Sequence, residues 1–394
     1  MKKLIVLLII PFCYNYGQTD TGILEKTLEK TLEKLNGLKT IEYKMTKKYL
    51  SEEMGQNSVH SGNCYLDFTS NDTLIGVKYH MMVDDKYEQV FDGEQYFDSN
   101  VKEKRIHYVK KPKKHQVNSS IFSAGLNEVK LVLPILLKDK TISIKQEKDT
   151  IINSITGYKF NFTIPNRFIS GYELRTVPSH MKEYIYKYEL VISKQEMLPI
   201  FIRKRNSHYD QILISLLSDF IIGATRDEKI WSYDRFSEEY IRMSQREFFK
   251  RDRIELKNKI GQRAPDFALP SIGGDTISLS KLDNKLTLLE FWFPNCGPCV
   301  EAIPDINEIH EKYEERGLTI YGIEFTRSSD KGLKKYIEKH EIKIPTLYLG
   351  EKAASLYGVS AAPTFILLNE QKEILYVHMG FKKEELIKVI EDSM

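Results

Sequence analysis

The sequence predicts an α/β fold in the C-terminal third, preceded by a separate α+β domain dominated by antiparallel strands. Three observations predict it. From residue 288 onward, short apolar runs alternate with helix-like amphipathic stretches, the pattern of a mostly parallel sheet covered on both faces. Between residues 41 and 205 the strand-like runs follow one another with little but turns between them. The 394 residues are 41% hydrophobic, 11% aromatic and 29% charged, a balance that supports folded cores and excludes a disordered chain.

The elements can be justified in chain order. Lys2-Lys3, the apolar run Leu4 to Ile10 and a polar stretch to Gly17-Gln18 read as a secretory signal peptide, residues 1–17, too short in its apolar core to span a bilayer. Cys13 is not expected to be lipidated, because Ile10-Pro11-Phe12 lacks the small residues that precede a lipidated cysteine. Residues 18–237 form the expected β-rich domain. It opens with an amphipathic helix, in which Leu24, Leu28, Leu32, Leu35 and Leu38 recur at spacings of four and three.

Strands are then expected at Ile41 to Leu50, Asn63 to Phe68, Leu74 to Val83 and Tyr87 to Phe97, with Asp92-Gly93 as a hairpin turn. Thr141 to Lys145, Tyr158 to Ile164, Tyr184 to Ile192 and Leu198 to Arg205 continue the series. Residues 238–259, rich in charge, read as a solvated helical linker. Residues 260–394 form the α/β unit. Its expected strands include Tyr321 to Phe325, Thr364 to Leu368 and Glu373 to His378, the last returning antiparallel after the turn Asn369 to Lys372. Lys331 to His340 and Lys382 to Ile390 are expected helices.

Chemistry concentrates at one tetrapeptide, Cys296-Gly297-Pro298-Cys299, which follows the apolar run Leu288 to Phe293 where a strand should pass into a helix. The first N–H groups of a helix lack intrahelical partners and its dipole favours negative charge, so Cys296 there would be held as a thiolate. Pro298 suits a first helical turn, Gly297 leaves the approach to the sulfur open, and the spacing puts Cys299 within disulfide reach. Cys296 is expected to attack and Cys299 to resolve. A zinc site would need two further ligands, and no second CxxC or HxxxH is present; His310, the nearest candidate, sits in an amphipathic stretch. The remaining cysteine, Cys64, is expected to be a small core residue.

Gly261 to Phe267 with Ile277 to Ser280, the strand bearing Glu290-Phe291-Trp292, the two cysteines and Pro304 in the following helix together resemble TlpA/ResA-type envelope thioredoxins, with a redoxin-like opening. The resemblance implies a thioredoxin fold, a substrate-facing surface at Trp292, Asn295, Gly297 and Pro298, and no cofactor beyond the Cys296–Cys299 pair. It also implies a cis-proline beside the disulfide. Pro345 and Pro363 compete for that place, and only Pro363 is followed by strand, turn, strand, Gly380 and helix, so Ala362 and Pro363 are expected to meet substrate backbone.

Glu290 falls where thioredoxins carry a buried acid, and a buried carboxyl of raised pKa suits it as the base for Cys299; the alternative is that it reaches solvent at the end of the strand. Three positions depart from the family: Pro294, Asn295 in place of the usual tryptophan, and Ala302 where a glutamate is common. The opening Ala264-Pro265-Asp266-Phe267 is also similar to peroxiredoxins, but Phe293 stands where they carry a hydroxyl three residues before the cysteine. In the N-terminal domain, the helix followed by a meander through Phe91-Asp92-Gly93-Glu94 and Tyr188 to Ser193 resembles LolA/LppX-type envelope carriers. That resemblance implies a concave sheet able to take an apolar ligand.

The expected function is a periplasmic or cell-envelope thiol–disulfide oxidoreductase that reduces protein disulfides and draws electrons from a membrane thiol donor. The alternatives are an envelope lipid or protein carrier with an accessory redox domain, or a thiol peroxidase. The formal net charge of +3, or +1 without Lys2 and Lys3, suggests neither nucleic acid nor an acidic substrate.

Overall fold

The computed structural model describes residues 21–52, 56–70, 74–118, 123–177, 183–326, 330 and 332–394. The expected signal peptide and Cys13 lie outside the described residues. After the helix Thr21–Asn36, the strands Thr40–Ser51, Gln56–Asp67, Lys78–Val83, Tyr87–Phe91, Gln95–Asn100 and Arg105–Lys110 form an antiparallel meander. The Asp92-Gly93 turn joins two of them, with Gly93 at a φ of 99° that favours glycine and the Asp92 carboxylate accepting from Glu94 and Gln95 N–H. A second group is sewn on by Ile212–Ile222, which pairs with Thr40–Ser51 on one side and Pro199–Asn206 on the other. Among the described residues the result is a 13-stranded sheet.

Two helices cover one face of that sheet. Leu28 and Leu35 of the first helix and Val129 and Leu133 of the helix Leu126–Lys138 pack with Phe160, Tyr188 and the fully buried Cys64 in one core. The helix Leu126–Lys138 carries Pro134 inside it, a residue that argues against helix in the sequence, and it was not expected.

Trp231 is buried with Val90, Phe97 and Ile106 on the second face of the sheet, and Tyr233 and Phe236 meet Phe97 edge-on. The expected linker, residues 238–259, follows and is helical only in part. Ile241–Ser244 then joins the sheet edge, parallel to Arg105–Lys110. Only Gln245–Lys257 is helix, started by a Ser244/Glu247 capping box, and its Leu256 is buried in the C-terminal core. The strand is four residues long, and a short run flanked by charge carries little periodicity.

The C-terminal unit is a five-stranded sheet ordered Thr346–Leu347, Leu318–Glu324, Leu286–Trp292, Thr364–Asn369, Ile374–Met379. The first two pairings are parallel and the last two antiparallel, so the sheet is mixed, not mostly parallel. The cause is the loop before Thr364: it lies at the same end as the cysteines, Thr364 opposite Phe291, so the strand leaving it must run backwards. Helices Gly297–Tyr313 and Lys383–Ser393 cover one face through Ile306, Ile309, Leu386 and Ile390. Ala353, Ala354 and Tyr357 of the helix Glu351–Tyr357 cover the other.

Candidate functional site

The central strand Leu286–Trp292 is buried at every residue, which fixes the position of the chain where it leaves the sheet. Four residues later Cys296 caps the helix Gly297–Tyr313. Its sulfur accepts from the Cys299 N–H at 3.3 Å and its carbonyl from Val300 N–H at 2.9 Å. Cys296 and Cys299 are joined as a disulfide with Cα atoms 5.2 Å apart. They are 5% and 2% exposed, while Gly297 and Pro298 beside them are exposed. A methyl built on Gly297 would meet nothing within 4 Å, so the approach over that residue is clear.

Asn295 lies at a φ of 63°, the left-handed region that asparagine tolerates better than tryptophan does. Its N–H donates to the Tyr336 hydroxyl at 2.9 Å. Tyr336, from the helix Leu333–Lys339, stacks on Trp292 with ring centroids 5.9 Å apart and packs in one cluster with both cysteines. An aromatic surface thus stands beside the disulfide although position 295 does not supply one. The sequence marks Leu333, Tyr336 and Ile337 as one helix face, but not the core that the face enters.

Trp292, expected on the substrate-facing surface, is 4% exposed and covered by Tyr336, because it ends a strand enclosed on both faces. Trp292, Glu290 and Cys299 line a small cavity of about 10 Å³. That is near the space one water needs, and the Trp292 Nε1–H has no protein acceptor. Glu290 is 6% exposed, and burial pushes its carboxyl from 4.5 up to about 8. Ala302 is buried in the core under the helix Gly297–Tyr313 and, as alanine, brings no acid to it.

The Ala362–Pro363 bond is the only cis peptide among the described residues, and Pro345 is trans. The Pro363 carbonyl accepts from Gly380 N–H at 2.7 Å and the Thr364 hydroxyl donates to the Ala361 carbonyl at 2.7 Å, which secures the loop. Ala362 is half-buried against the cluster that holds both cysteines. The Cys64 thiol lies far back in the N-terminal core, pushed up to about 12 by burial, and is chemically inert there.

Residues 260–377 match the AhpC/TSA family. A ResA thiol-disulfide oxidoreductase of Halalkalibacterium halodurans is 28% identical over 131 residues, 33% of this chain and 74% of the relative. One of Bacillus thuringiensis is 29% identical over 133 residues, 34% of this chain and 76% of the relative. The thioredoxin-like protein YneN of Bacillus subtilis is 30% identical over 122 residues, 30% of this chain and 71% of the relative. With its disulfide at a strand–helix junction and these relatives over the same residues, the chain belongs through its C-terminal third to the ResA-like branch of the thioredoxin superfamily and is a thiol-disulfide oxidoreductase.

Proposed function

We propose that the protein reduces disulfides of polypeptides in the cell envelope, with Cys296 as the nucleophile and Cys299 as the resolving thiol. The observation that carries the assignment is the asymmetry of the pair. Cys296 sits at the helix N-terminus beside exposed Gly297 and Pro298, whereas Cys299 faces inward on the cavity it shares with Glu290.

In the reduced protein the Cys296 thiolate, favoured by the helix dipole and the Cys299 N–H, attacks one sulfur of the substrate disulfide. The substrate S–S bond breaks and its second sulfur leaves as a thiolate that takes up a proton. Cys299 then loses its proton to the Glu290 carboxylate, through a water or directly, and attacks the Cys296 sulfur of the mixed disulfide. The first substrate sulfur leaves and is protonated in turn. Two electrons pass from the dithiol to the substrate, leaving a substrate dithiol and the Cys296–Cys299 disulfide. Burial pushes the Glu290 carboxyl up to about 8, which makes its carboxylate a stronger base than an ordinary glutamate's. Ala362 and Pro363, with Asn295, Gly297 and Pro298, border the face where substrate backbone would lie.

The apolar run Leu4 to Ile10 after Lys2-Lys3, read as a signal peptide, supports export, and among the described residues no helix is long and apolar enough to cross a membrane. A membrane thiol donor would return the electrons. The peroxidase alternative is less well served, because Phe293 packs edge-on against Phe325 where a peroxide-binding hydroxyl would be needed. The carrier alternative must contend with the two helices packed on the inner face of the N-terminal sheet. The test is reduction of insulin disulfides with dithiothreitol as the electron source. Cys296→Ser should abolish the accelerated reaction, and undiminished activity in that variant would overturn the proposal.

A further inference from the structure

Two cavities meet at the active-site loop. The larger, about 940 Å³, opens between the N-terminal sheet and the loop, with Tyr186, Lys204 and Arg205 on one wall and Phe293, Asn295 and Thr326 on the other. The smaller, about 240 Å³, lies between Tyr209 and Asp210 of the N-terminal domain and Lys335 and Lys339 of the helix Leu333–Lys339. Gln211 and Asn295 line both, so together they form one groove passing over the residue that precedes Cys296.

The N-terminal wall is built, not a loose loop. Asn206 Oδ1 accepts from the N–H groups of His208 and Tyr209 at 2.9 and 2.8 Å, and the Ser51 hydroxyl donates to Asp210 at 2.6 Å. Lys339 closes across the gap, its Nζ 4.7 Å from the centre of the Tyr209 ring. The lining includes the carboxamides of Asn57, Asn206 and Gln211, which suit a polypeptide backbone better than a lipid chain. Its charge is lopsided. Lys204, Arg205, Lys335 and Lys339 face Glu128 and Asp210, a net of +2, and Lys204 is already paired with Glu128 at 2.6 Å. Arg205, Lys335 and Lys339 are exposed. The nearly neutral chain therefore concentrates cations beside its disulfide.

We propose that this groove is a specificity site contributed by the N-terminal domain, taking an extended polypeptide segment with acidic residues next to its disulfide cysteine. The inference rests on the thiol–disulfide reading above and adds its substrate class. A segment lying along the groove crosses Asn295 and brings its cysteine to the neighbouring Cys296, while Arg205, Lys335 and Lys339 meet its carboxylates.

The test uses the pre-reduced full-length protein in single turnover, so that the dithiol alone supplies the two electrons. The substrates are two fluorogenic disulfide peptides, identical except that glutamates or lysines flank the cysteines, with 2-hydroxyethyl disulfide as a small uncharged reference. The wild-type protein should reduce the acidic peptide about tenfold faster than the basic one at low ionic strength, and the preference should shrink with added salt. Arg205→Glu/Lys335→Glu/Lys339→Glu should invert the preference. Lys335→Glu alone, a single change on an exposed helix face, should shift it in the same direction. Equal rates for the two peptides in the wild type, or an unchanged preference in both variants, would overturn the groove while reduction of the small disulfide still stood. Failure on the small disulfide as well would overturn the thiol–disulfide reading and the groove with it.

Discussion

Replacing Glu290 by glutamine keeps the shape of the side chain and removes the one titration that the buried site imposes on the fold. Burial raises the carboxyl from 4.5 in the unfolded chain to about 8 in the native protein. Between those values the native state holds a proton that the unfolded state has released, so stability falls as pH rises. The contribution is fully present below pH 4.5 and is lost through about pH 8. At about 1.4 kcal/mol per pH unit, the loss across that window is on the order of 5 kcal/mol. Glu290→Gln has no such slope.

Urea unfolding of the oxidised protein at pH 5, 6, 7 and 8 measures the difference, and Trp231→Phe in both proteins leaves Trp292 as the sole tryptophan reporter of the C-terminal unit. The stability of Glu290→Gln relative to Glu290 should climb steadily from pH 5 to pH 8. Curves that stay parallel would refute the claim that Glu290 is buried as an uncharged acid. In the same variant, resolution of the mixed disulfide should slow by about a hundredfold, the typical loss of a positioned base.

Three further outcomes are expected. A methyl on Gly322 would lie 2.8 Å from Trp292 Nε1 and 3.2 Å from Ile344 Cδ1, so Gly322→Ala should cost about 1–3 kcal/mol and shift the Trp292 emission, read by denaturant unfolding and fluorescence. Tyr336→Phe removes the acceptor for the Asn295 N–H and should cost about 1 kcal/mol, with slower peptide reduction in the same assay used for the groove. Lys47 is buried with its ammonium on the Ser123 hydroxyl and carbonyl, and burial, reinforced by Lys204, lowers it from 10.5 to about 7. The unfolded chain then holds the extra proton between those values, so wild-type stability should rise with pH from 7 toward 10.5, and Lys47→Met should lack that rise in thermal unfolding.

The redox pair was legible because its determinants are local. A strand, two cysteines at helix-start spacing and a proline in the first turn require no knowledge of distant neighbours, and the structure joins Cys296 to Cys299. Pro363 rather than Pro345 could be chosen by the order of the elements that follow it, and the cis bond is there. Tyr336 was hidden because helical periodicity says which side of Leu333–Lys339 is apolar and not that this side meets Trp292. The direction of Thr364–Asn369 was hidden for a related reason: a strand's apolar run is the same read forwards or backwards, and only the loop's position decides. In the N-terminal domain, alternation gave the longer strands but missed several, Arg105–Lys110 and Ile212–Ile222 among them, and Trp231 and Phe236, which cover a sheet face, belong to no expected element. The groove was least legible of all, since Arg205, Lys335 and Asn295 come from segments far apart in the chain.

The division of labour between the two sulfurs is tested most directly by mass spectrometry of trapped mixed disulfides. Pre-reduced Cys299→Ser and Cys296→Ser proteins, each mixed with the same disulfide peptide, should differ sharply: the first accumulates one peptide bound through Cys296, the second none at a comparable rate. Rapid adduct formation on Cys299 in the Cys296→Ser protein, or no adduct on Cys296 in the Cys299→Ser protein, would contradict the assignment.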